Sequence, residues 1–150
     1  MTDNERGLCA ATAAWLNAGR VLAAWGLALS ALALAGCAAL VMLGTPDYLP
    51  LGALAAWALV VAAGLAERVL AMRLQFDAAL FDALAQGRIG HLGGFGGLDA
   101  GLAALGLRTD TGDTRPLDVR LSGALQLLRW HRSAVVLQCV LWLVAIGCLR

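Results

Sequence analysis

Three stretches of the chain run without a charged side chain and are apolar from end to end. The first, residues 21–43, reads VLAAWGLALSALALAGCAALVML. At 1.5 Å per residue its 23 residues reach about 34 Å, enough for a hydrocarbon core of roughly 30 Å. The second, residues 49–66, reads LPLGALAAWALVVAAGLA and stops at Glu67-Arg68. The third, residues 133–149, reads SAVVLQCVLWLVAIGCL. It is short alone, and Trp130 and Arg132 extend it by reaching the interface. The link GTPDYLP around the loop 44–48 carries two prolines, and so tight a link pairs the helices on either side. The expected fold class is therefore all-α, a polytopic membrane protein with three transmembrane helices.

The connection 67–132 is where helical periodicity continues outside the apolar runs. Val69, Leu70, Phe76, Leu80, Phe81 and Leu84 recur at steps of three and four. Arg68, Gln75, Asp82 and Gln86 take the other side. Nothing breaks the helix before Gly87, so the second span is predicted to run on to about Gln86. GRIGHLGGFGG makes a glycine-rich tip, LDAGLAALGL a short helix, and RTDTGDTR a polar loop. Pro116 suits a first helical turn and Asp118 its dipole. Leu117, Leu121, Ala124 and Leu128 then lead without a break into the third span. The second and third spans thus extend as an antiparallel helical hairpin, closed at its tip by Leu98, Leu102 and Leu105. Phe76, Leu80, Phe81, Leu84 and Phe95 are its candidate partner contacts. Residues 1–20 are expected to add a short surface helix, with Thr2 and Glu5 as its capping box.

Arginine placement gives the orientation. Arg6 and Arg20 precede the first span, and the first link has no basic residue. Eight arginines lie between spans two and three, and only Arg150 follows. By the positive-inside rule the N-terminus and the hairpin are cytoplasmic. Arg129, Trp130, His131 and Arg132, directly before span three, are the candidate interface and lipid-headgroup anchor.

Composition agrees with these spans. Hydrophobic residues make up 61% and charged residues 14% of 150 residues, with mean hydropathy +0.77 and net charge +1. One small domain cannot hide so much apolar surface from water. A disordered chain and a charge-driven nucleic-acid binder are excluded. The chain has no lysine, which removes the Walker A loop and Schiff-base chemistry. Alanine- and arginine-rich usage goes with GC-rich bacterial genomes, so the expected location is a bacterial inner membrane.

Candidate chemistry is sparse. LAGC at 34–37 matches a lipobox, but the apolar AALVML that follows fits an ordinary span better. Cys9, Cys37, Cys139 and Cys148 form no C-x-x-C pair. His91 and His131 stand 40 positions apart with no ligand spacing, so no metal site is expected. The glycine-rich tip lacks G-x-G-x-x-G, and no cofactor motif is present. Asp110-Thr111-Gly112 reproduces the aspartic-protease triplet in a polar loop of a helical chain, without the paired site that chemistry needs. Asp77, Asp82, His91 and Asp99 remain as candidates for an enzyme at the inner leaflet. No ionisable residue falls well inside a span, which speaks against a proton or ion pump. Ser30 and Gln138 are the polar groups at depth. Ala31, Ala35 and Ala39, with Ala58, Ala62 and Ala66, make small-residue stripes for packing the spans together or for a subunit contact.

The expected function is a non-enzymatic accessory, scaffold or assembly subunit. It would be embedded in membrane lipid and present the hairpin to another membrane protein or to a second copy. The competing reading is a homo-oligomeric channel or transporter component lined by Ser30 and Gln138.

Overall fold

A computed structural model describes residues 1–43, 51–89, 95–106 and 116–148. Every regular element among them is helical: α1 (Asp3–Leu43), α2 (Leu51–Ala85), α3 (Phe95–Ala104) and α4 (Leu117–Gly147). Helices α1, α2 and α4 are long and apolar enough to cross a membrane, which suggests a membrane protein. The 44–48 loop, His91 and the 110–112 triplet lie outside the described residues.

The start of α1 carries the reciprocal cap that Thr2 and Glu5 predict. Thr2 N donates to Glu5 Oε2 at 2.6 Å, and Glu5 N donates to Thr2 Oγ1 at 3.3 Å. The separate surface helix expected over 1–20 does not form. Alanine-rich sequence without proline carries the same helix from Asp3 to Leu43, through Asn17 and Gly19. α2 closes at Ala85, followed by Gly87 at φ 70°, the left-handed position that glycine takes without strain. α3 ends in the same way before Gly106 at φ 66°.

The chain divides into two compact units. One contains residues 18–73 and 127–150, and its core joins Ala33, Trp57, Val60 and Ala145. Trp57 and Trp142 meet edge to face, with ring centroids 5.2 Å apart. Such a pair contributes about 1 kcal/mol beyond its burial. The inward positions alternate steps of three and four: 23, 26, 30, 33 and 37 on α1; 57, 60, 64, 67 and 71 on α2; 128, 131, 135, 138, 142 and 145 on α4. This is the spacing that keeps helices in contact along a left-handed seam. Positions 26, 30 and 36 of α1 meet 67, 64 and 57 of α2, so the two run in opposite directions there.

The predicted alanine stripes are not on this seam. Ala31, Ala35, Ala39, Ala58, Ala62 and Ala66 are all exposed, while Gly26, Ser30, Ala33 and Gly64 line the seam. Of the two roles the stripes suggested, packing the three spans together therefore falls away. Leu32, Leu34, Leu59, Leu65, Val136 and Leu143 also face outward, each more than half exposed. An apolar outer face around a seam that includes small and polar residues is the packing expected in lipid, where burial between helices brings no hydrophobic gain.

The other unit contains residues 1–17 and 74–126. Leu16, Leu74, Phe81, Leu84, Leu98 and Ala124 are among its buried apolar side chains.

Candidate functional site

Two groups of polar residues stand out, one in each unit. The first surrounds Glu67 in the three-helix unit. Glu67 follows the uncharged run of α2 by one residue, and sequence reading placed it at the span's end. The 57, 60, 64, 67 register instead turns it inward, where it is completely buried. Gly26 of α1 makes the room. A Cβ there would come within 2.7 Å of Glu67 Oε2.

A buried carboxylate needs partners. Arg68 curls back onto it, donating from Nε to Oε2 at 2.8 Å and from Nη2 to Oε1 at 3.0 Å. Arg68 Nη2 also donates to the Ala23 carbonyl of α1. From α4, His131 approaches with Nδ1 3.4 Å from Glu67 Oε1, without the alignment of a hydrogen bond. His131 is fully buried, and neither of its ring nitrogens has a hydrogen-bond partner.

Two turns along α4, Gln138 continues the polar line. Its Nε2 donates to Ser30 Oγ at 2.9 Å and to the Gly26 carbonyl at 3.3 Å. Ser30 Oγ donates to the same carbonyl at 2.8 Å. Trp142 Nε1 donates to the Leu29 carbonyl at 3.3 Å. Gln138 Oε1 and Trp57 Nε1 have no partner.

The second group lies in the other unit. A cavity of about 240 Å³ is walled by Leu80, Phe81 and Leu84 of α2, Leu98 and Leu102 of α3, and Val119 of α4. Its polar wall is the ion pair Arg120–Asp99. Nη2 lies 2.6 Å from both carboxylate oxygens, and both side chains are nearly buried. Asp77 borders the same cavity.

The residues named from sequence separate accordingly. Arg129, Trp130 and Arg132 are exposed, whereas His131 of the same tetrad faces inward to Glu67. Leu80, Phe81 and Leu84 line the cavity, Phe76 stays 42% exposed, and the Phe95 side chain lies outside the described residues. Asp82 is engaged by Arg88 at 2.9 Å and by Gln86 at 2.8 Å, and Asp99 by Arg120. Among the described residues no group of three or more His, Cys, Asp or Glu side chains is placed to hold a metal ion. Sequence reading missed the meeting of Glu67, Arg68 and His131. The signal was present: Glu67 stands seven after Val60 and three after Gly64, on one seam.

Comparison with protein-family models, with curated proteins and with solved structures gives no match.

Proposed function

We propose that this protein is a non-enzymatic accessory or scaffold subunit of a membrane complex. It is held in a bacterial inner membrane by α1, α2 and α4, and it presents the cytoplasmic unit formed by the ends of those helices and α3. One observation carries this reading. In the unit of residues 1–17 and 74–126, Leu8, Phe76, Leu105, Val119 and Leu125 are each between 42% and 70% exposed. All of them lie outside the three uncharged apolar runs, so lipid contact does not account for them. Large apolar side chains left uncovered in water favour association with another protein surface.

The channel reading needs Ser30 and Gln138 to face water. Their mutual hydrogen bond, with Gln138 completely buried, favours the scaffold instead.

The test is mild extraction of the tagged full chain, followed by identification of what co-purifies. A stoichiometric partner is expected with the wild type and is lost in F76E and V119E. A stable monomer without a partner overturns the reading, and a homo-oligomer that passes ions in vesicles replaces it with the channel.

A further inference from the structure

We propose that Glu67 and His131 together form a proton-binding site between α2 and α4, one that exchanges Glu67 between two partners. The inference goes beyond the scaffold reading and does not depend on it.

The argument begins with hydrogen-bond capacity. A charged imidazolium has two N–H donors, and in a buried position each needs an acceptor. Neither nitrogen of His131 has a hydrogen bond, and its side chain is wholly out of contact with water. The arrangement is therefore that of a neutral ring with one nitrogen free to take a proton. Glu67 Oε1 stands 3.4 Å from Nδ1, so a small rotation makes a charged N–H···O bond.

The charged groups around the ring define what proton uptake does. α2 contributes Glu67 and Arg68, and α4 contributes Arg132. α1 presents Ala23, Gly26 and Ser30 to this region, none of them ionisable. With the ring neutral, Arg68 holds both oxygens of Glu67 and reaches the Ala23 carbonyl, which ties α2 to α1. With the ring charged, His131 competes for Oε1 and ties α2 to α4. One proton thus shifts the carboxylate from the arginine to the imidazole, with no change in the number of carboxylates or arginines. Ionisable groups buried among membrane helices are where proton-linked steps reside.

The chain's two histidines make the site directly observable. The full-length H91Q variant, with ¹⁵N-labelled histidine and reconstituted in lipid bilayers, reports His131 alone. Its nitrogen chemical shifts followed from pH 4 to 9 are expected to show one reversible transition from charged to neutral ring. E67Q removes the attracting carboxylate and is expected to weaken proton binding about tenfold or more, which is one pH unit or more. R68Q removes the competitor and is expected to strengthen it, the opposite sign. The second variant keeps the test decisive if E67Q does not fold. A ring that never titrates in the folded protein overturns the proposal. So does a transition that R68Q leaves unmoved.

Discussion

Gln138 Nε2 meets Ser30 Oγ at 2.9 Å, a bond between residues 108 positions apart in the chain, and Gly64 is what lets them meet. A Cβ on Gly64 would stand 2.8 Å from Gln138 Nε2 and would overlap the Ser30 hydroxyl. In Gly64→Ala the Ser30 hydroxyl and the Gln138 amide must shift, and the hydrogen bond between them is disturbed. The expected cost is about 1–3 kcal/mol, typical of overpacking a close contact. Gly7→Ala meets nothing within 4 Å. Alanine's better helix propensity should leave that variant neutral or up to about 1 kcal/mol more stable. Unfolding of both variants in mild detergent checks the contrast, and equal effects would refute the close-approach account.

His131→Leu should not destabilise the fold. The buried ring makes no hydrogen bond, and an unsatisfied polar group costs about 1–3 kcal/mol when buried. Leucine removes that cost, and Glu67 keeps Arg68. The same unfolding measurement should show equal or higher stability. A loss above about 2 kcal/mol would mean that the ring makes a bond essential to the unit.

Arg120→Ala takes from Asp99 the guanidinium that lies 2.6 Å from both of its carboxylate oxygens. Both side chains are nearly buried, and breaking a buried pair costs about 3 kcal/mol or more. The double variant D99L/R120M, which removes both charges and fills the space, should recover most of that loss. Limited proteolysis after α3 together with denaturant titration would follow it. A single variant as stable as the wild type would show that the pair contributes nothing.

Cys139 tests the membrane assignment. It is exposed on α4 within the third apolar run, whereas Cys9 is completely buried. In intact membranes a charged maleimide should modify Cys139 of a single-cysteine variant only after unfolding in SDS. Rapid modification without SDS would place that face in water.

The long helices were legible because their cause is local. Uncharged runs, the Thr2–Glu5 cap, Gly87 and Pro116 each act within a few residues. The seam was not legible from apolar periodicity. In this chain large apolar residues such as Leu32, Leu59 and Leu143 face outward, while the inward line includes Gly26, Gly64, Glu67, His131 and Gln138. A search for the most hydrophobic face therefore finds the outside. Alanine stripes 31–35–39 and 58–62–66 follow a four-residue step, while the contacts follow alternating three and four. Glu67 was hidden for a related reason. A charge at the end of an apolar run marks a span boundary by composition, and only the register shows that it points inward. In the other unit, Asp99 and Arg120 stand 21 residues apart, so their pairing depends on how α3 folds against α4.

The contacts between α1 and α2 alternate in a way that limits how that pair can move. Gly26 receives Glu67, Gly64 receives Ser30, and Gly36 lies against Trp57, where a Cβ would come within 3.2 Å of the ring. Each helix is toothed, with its teeth set into the gaps of the other. A piston-like stroke of one turn in one direction drives Ser30 into Glu67. The opposite stroke sets Gly26 beside Gly64 and opens a hole. The pair is thus keyed against axial travel, and the freedom left to it is a swing or a twist.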